Sequence, residues 1–216
     1  MAHRMRFGYR VAWHLLRCLF RIVFRWRVFG AEHVPARGPF ILAANHASYL
    51  DPPVLGAACP RELCYLARKS LFRFKPFAAL IRWCNAVPVE RDGAGAEGLK
   101  TVLDKLGAGW GVLMFPEGTR SPDGRLQPGR LGIGLLVVKS RAPVVPVRVF
   151  GTDRALGRGA AVPRPCRITV VFGAPLDFTK RSAEARNCSK AELRRCYQQI
   201  ADEVMSAIAK LGPPRQ

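Results

Sequence analysis

The sequence predicts an α/β fold: one layered domain with a mainly parallel or mixed central sheet flanked by helices, preceded by an amphipathic helix. Three observations carry this reading. Short apolar runs bounded by Gly and Pro alternate with segments of helical period along most of the chain. No low-complexity tract or linker divides residues 31–212, so they read as one domain. Residues 1–30 follow a different pattern, helical and strongly basic, and 213–216 form a short tail.

Residues 7–28 have helical periodicity. Arg6, Arg10, His14, Arg17, Arg21 and Arg25 fall on one stripe, while Val11, Leu15, Leu16, Leu19, Ile22, Val23 and Trp26 cover the opposite side. An Arg-rich polar face without an acidic residue, flanked by Trp and Phe, fits a helix lying in anionic headgroups. An ordinary helix packed on the domain with a solvated basic face is compatible with this. Phe40–Ala44 is a buried strand after the turn signal Gly38-Pro39. Residues 65–67 form a weaker strand and 76–83 a short helix. The strand at 86–89 contains Pro88, which suggests a sheet edge. A helix over 98–106 ends at Gly107, 111–115 is a buried strand, and 131–139 is an apolar helix. Residues 143–150 and 167–172 are strands joined by a surface loop over 154–165. The clearest helix, 189–210, has Ser189 and Glu192 spaced as a capping box.

The chain has 35 Lys and Arg against 15 Asp and Glu, a net charge of +20, which calls for an anionic partner: nucleic acid, lipid headgroups or a phosphorylated substrate. Seven cysteines with no C-x-x-C pair read as buried, reduced thiols of a cytosolic protein, with no metal site. No apolar run is free of charge for long enough to span a bilayer, and no signal-peptide pattern opens the chain.

Histidine is scarce, and none follows His46. His46 stands directly after the 40–44 strand, where sites form in open α/β sheets. Asp51, five residues on, can reach back to fix the imidazole tautomer, the arrangement a general base needs. A second constellation, Glu117, Gly118, Thr119 and Arg120, follows the 111–115 strand. It offers backbone N–H groups, a hydroxyl and a guanidinium to an anion such as phosphate. Arg91, after the 86–89 strand, is a third candidate.

At these places the chain resembles the glycerolipid acyltransferase family, best known through bacterial 1-acylglycerol-3-phosphate acyltransferases. The family's first motif, Asn-His followed by Asp, is met by Asn45, His46 and Asp51. Its third, Phe-Pro-Glu-Gly-Thr-Arg-Ser, stands whole at 115–121. Its second ends in an arginine matched by Arg91, and its fourth is a Val-Pro pair matched by Val145-Pro146. Two departures stand out. Asn85 replaces the Gly that usually opens the second motif, and Arg68-Lys69-Ser70 stands where members often carry Lys-x-Glu.

The resemblance implies a direct transfer from acyl-CoA or an acyl-carrier protein to a lysophospholipid hydroxyl, without a cofactor. His46 and Asp51 would be catalytic and Asn45 supporting. Arg91, Glu117, Gly118, Thr119 and Arg120 would bind the acceptor phosphate, with Arg68 a further candidate. The expected acceptor is 1-acylglycerol 3-phosphate, giving phosphatidic acid; lyso-ornithine lipid, another lysophospholipid and glycerol 3-phosphate are the alternatives. The expected partner surface is an anionic membrane met by residues 7–28, at the cytoplasmic face of the inner membrane. Nucleic-acid binding accounts for the charge alone and leaves both motifs unexplained, and the aromatic residues lack RRM-like spacing.

Overall fold

A computed structural model describes residues 5–89 and 96–213. The chain runs α1 (Phe7–Phe24), β1 (Arg27–Phe29), β2 (Phe40–Ala44), α2 (Asp51–Ala58), β3 (Leu63–Arg68), α3 (Lys75–Trp83), β4 (Ala86–Val89) and α4 (Ala96–Gly107). It continues with β5 (Gly111–Met114), α5 (Leu131–Ser140), β6 (Val144–Phe150), α6 (Thr152–Ala155), β7 (Thr169–Phe172), α7 (Thr179–Glu184) and α8 (Lys190–Lys210).

Among the described residues the strands form one sheet in the order β1-β7-β6-β2-β5-β3-β4. All neighbours are parallel except β6 and β7. The central strand β2 is buried on both faces, which explains its unbroken apolar run. Phe40, Leu42 and Ala44 pack towards α1 and α2, with Phe20, Phe24, Val54 and Leu55. Ile41 and Ala43 pack on the other side, with Ile133, Val137, Ile200 and Val204 of α5 and α8. Those two helices approach so closely that a Cβ at Gly134 would lie 2.1 Å from the Tyr197 carbonyl oxygen. The Ser189–Glu192 capping box is formed in both directions, and the Pro88-bearing β4 lies at the sheet edge.

Two expectations change, and one segment for which the sequence offered no reading proves helical. The 7–28 helix stops at Phe24, because Arg25 turns left-handed at φ 45° and the chain enters β1 beside β7. The segment after Asp51 is the helix α2, since Pro52 and Pro53 sit in a first turn that needs no N–H from them. The cysteines are free, but only Cys59 and Cys64 are buried; Cys18 is exposed on α1.

The amphipathic helix has three faces rather than two. Tyr9, Phe20 and Phe24 are buried against the domain, and Leu16 and Val23 pack beside them. Val11, Leu15, Leu19 and Ile22 face outward together with Phe7. The basic stripe lies between these faces, and two of its members are held by the domain. Arg6 meets Glu62 and Asn85, and Arg17 donates to the Ala57 carbonyl at 3.0 Å and stacks over Trp13 and Trp26. Arg10, His14, Arg21 and Arg25 remain exposed. Among the described residues, no helix is long and apolar enough to cross a membrane.

Candidate active site

The loops that follow β2, β5 and β3 all leave the same edge of the sheet, because these strands are parallel neighbours. Topology alone therefore gathers His46, the 115–121 segment and Arg68. Arg91 lies outside the described residues.

His46 is fixed on every side but one. Its Nδ1 lies 2.8 Å from Asp51 Oδ2. Its ring stacks on Phe115 at 3.9 Å between centroids and 14° between planes. Its backbone N–H donates to Glu117 Oε1 at 3.2 Å, and its carbonyl accepts from the Ser121 N–H at 2.7 Å. The first and third motifs are thus physically interlocked through one residue. With Nδ1–H given to the carboxylate, Nε2 carries the lone pair that can take a proton.

Asp51 is fully buried, and its Oδ2 also accepts from the N–H groups of Ala47 and Ser48 at 2.7 and 2.8 Å. It opens α2, so the positive end of that helix favours its charge. The five-residue separation from His46 spans this tight loop, with the Ser48 hydroxyl anchored on the Leu156 carbonyl at 2.6 Å. Asn45 is a structural supporter. Its amide accepts from the Val149 N–H at 2.7 Å and donates to the Val149 carbonyl at 3.0 Å, pinning the end of β2 to β6. An amide committed at both ends is poorly placed to serve a reacting oxyanion.

In the 115–121 turn, Gly118 adopts φ +70°, a conformation suited to glycine, and an added Cβ would meet Arg130 Cδ at 2.8 Å. Gly118 and Thr119 are exposed, as an anion-binding role requires. Arg120 lies 3.5 Å over the Tyr49 ring, and its Nη1 is buried without a hydrogen-bond partner. A buried guanidinium nitrogen without a partner keeps a hydrogen-bonding capacity that an anion can satisfy. Glu117 departs from the phosphate-binding expectation: it is only 2% exposed and its carboxyl holds the His46 backbone. Tyr49 and Phe115 both lie within or beside the motifs, yet the sequence reading gave them no role. Ring stacking on a distant partner leaves no mark in local spacing.

Arg68 ends β3 and is exposed, lining a groove of about 600 Å³ with Ser70, Phe72, Arg73 and Arg82. Asn85, in place of glycine, keeps the left-handed backbone at φ 66°, which asparagine tolerates better than most residues. Its side chain donates to Glu62 and accepts from Arg6 at 2.9 Å, so the substitution also ties α1 to the domain.

Burial pushes the Glu117 carboxyl up to about 7, and the Asp51 charge adds to this, while N–H groups of His46 and Gln127 pull it down. Between 4.5 and about 7 the folded protein therefore holds a proton that the unfolded chain has released. The linkage sign makes stability fall as pH rises through that window, by on the order of 3 kcal/mol from this group. Glu117→Gln should flatten that part of the profile. Urea titrations of parent and variant at several pH values test this, and superimposable slopes would assign the effect to other groups.

Known proteins resemble this chain. A family model described as Acyltransferase matches residues 25–150. A 1-acyl-sn-glycerol-3-phosphate acyltransferase of Bacillus subtilis is 29% identical over 171 residues, covering 77% of this chain and 82% of that one. The enzyme of the same name from Limnanthes douglasii is 30% identical over 157 residues, covering 70% of this chain and 54% of that one. The crystal structure of the 1-acyl-sn-glycerophosphate (LPA) acyltransferase PlsC from Thermotoga maritima superposes with a TM-score of 0.71. It is 24% identical and covers 95% of this chain and 83% of that one, a likeness of fold. With the family match spanning more than half its length and enclosing His46, Asp51 and the 115–121 turn, the chain belongs to the acyltransferase family and is an acyltransferase.

Proposed function

We propose that this enzyme moves a fatty-acyl group from acyl-CoA or an acyl-carrier protein to the free hydroxyl of 1-acylglycerol 3-phosphate, giving phosphatidic acid. The observation that carries the reading is the His46–Asp51 pair beside an arginine with an unused buried donor. The names of the Bacillus and Limnanthes relatives support the acceptor. His46 Nε2 takes the hydroxyl proton as the acceptor oxygen bonds to the thioester carbonyl carbon. Collapse of the adduct breaks the C–S bond, and the departing thiolate recovers the proton from the imidazolium. Asp51 holds the ring's tautomer and balances its transient charge. Arg120, with Gly118 and Thr119 and joined by Arg91 and Arg68, holds the acceptor phosphate. Tyr49 keeps the Arg120 guanidinium in place.

The product carries two acyl chains, so the reaction belongs at a membrane surface. The outward apolar face of α1 enters the acyl boundary while Arg10, Arg21 and Arg25 meet anionic headgroups, at the cytoplasmic face of the membrane.

Thin-layer analysis of labelled products from acyl-CoA and a panel of lyso-lipids tests the reaction. Phosphatidic acid is the expected product, and acylation of only a phosphate-free acceptor would overturn the assignment. In the same assay Arg120→Ala should raise KM for the acceptor by about 10- to 100-fold, the scale of one charge-assisted hydrogen bond, with little change for the donor. Equal changes for both substrates would place Arg120 in the structure rather than the phosphate site.

A further inference from the structure

α3 presents an apolar ridge that no other described residue covers. Phe74, Phe77, Leu80 and Trp83 recur every three residues and are 69, 41, 55 and 41% exposed, and Leu71 just before them is 39% exposed. Only Ala78 of this helix is buried. A nine-residue helix that turns its large side chains outward and its small one inward has its hydrophobic pattern reversed for a soluble surface.

The ridge adjoins α1. A Cβ at Gly8 would touch Trp83 Cζ2 at 3.4 Å, Tyr9 stacks with Trp83 at 6.2 Å between centroids, and Arg6 donates to the Trp83 carbonyl at 2.7 Å. At about 100° per residue, Gly8 lies on the side of α1 occupied by Val11, Leu15, Leu19 and Ile22, away from Arg10 and Arg21. Trp83 of α3 therefore packs across the start of α1, from Arg6 and Tyr9 to Gly8, and at Gly8 it reaches the side that carries the outward apolar set.

We propose that the α3 ridge enters the acyl boundary of an anionic bilayer beside α1, giving the enzyme a second, separate point of contact with the membrane. This rests on the surface-docking reading above. Charge favours a lipid surface over a protein partner. Residues 5–25 and 63–89 contain no Asp or Glu, and Arg73, Lys75 and Arg82 stand exposed around the ridge. The nearby acid that meets Arg6, Glu62, has a side chain only 1% exposed. Two copies meeting through this face would bring cations against cations, whereas anionic headgroups neutralise the rim as the aromatic side chains descend. Two contacts also set the tilt of the domain, since a single helix leaves it free to roll about the helix axis.

The test uses vesicles of phosphatidylcholine with and without phosphatidylglycerol, some with brominated acyl chains. Phe74→Ser/Leu80→Ser should partition into the anionic vesicles at least about tenfold less than the parent. It should melt like the parent and stay active on detergent-dispersed acceptor. Bromolipid quenching seen in the parent should be largely absent in Trp83→Phe. If Leu15→Ser/Ile22→Ser loses binding while the α3 variant binds fully and Trp83 is unquenched, the α3 proposal falls and docking through α1 stands. If neither variant changes partitioning, both fail. A concentration-dependent dimer in sedimentation equilibrium that the α3 variant abolishes would reassign the ridge to self-association.

Discussion

His46→Ala is expected to lower turnover by at least about 10²-fold while leaving the melting transition close to that of the parent. Both halves of the result follow from the geometry. Nδ1 is committed to Asp51, which leaves Nε2 as the proton acceptor of the proposed mechanism, and no other histidine among the described residues stands at this edge of the sheet. The backbone contacts that fix the loop use the N–H and carbonyl of residue 46, which alanine retains. Loss of the Phe115 stacking partner opens a partly solvated space rather than a core cavity, since the imidazole is 17% exposed. Stopped-time assays with purified variant, alongside a thermal melt, distinguish the cases. Near-normal turnover with an unchanged melt would move the base elsewhere.

Asp51→Asn should cost both activity and stability, and the pairing of losses separates it from His46→Ala. Three donors converge on Oδ2 within 2.8 Å. An amide can turn its oxygen to them only with a weaker acceptor, and turning its NH2 there would oppose donor to donor. Each buried N–H left unpaired costs about 1–3 kcal/mol. The imidazole also loses the charge that fixes its tautomer and supports the imidazolium, so turnover should fall by about 10²- to 10⁴-fold. A variant that melts like the parent and turns over within about threefold of it would refute the orienting role, a threshold well below the general-base scale.

The parts of this design that were legible in the sequence are those written in local patterns. The strand β2 announces itself through five apolar residues after Gly38-Pro39, and His46 and Asp51 through their spacing behind it. The left-handed requirement at Asn85 showed only as a departure from glycine. Other features depend on partners distant in the chain. The apolar side of α1 divides into a buried and an outward sector because the domain covers one and leaves the other, and a helical wheel distinguishes only apolar from polar. The ridge of α3 lay in a segment read simply as a short helix. β1 was absorbed into the preceding helix because its Arg-Val-Phe continues the helical alternation of basic and apolar residues; pairing with β7, some 140 residues later, decides its conformation.

Holding one residue by both its N–H and its carbonyl from a different loop has an evolutionary side. His46 and the 115–121 turn share an anchor, so neither can drift without disturbing the other. A lineage that changes its acceptor preference by remodelling that turn would detune its own proton transfer. Freedom to vary lies instead where attachments are loose, at the exposed end of β3 and in the basic groove lined by Arg68, Arg73 and Arg82. Exchanging residues there among relatives should transplant headgroup preference while leaving the rate of the chemical step intact.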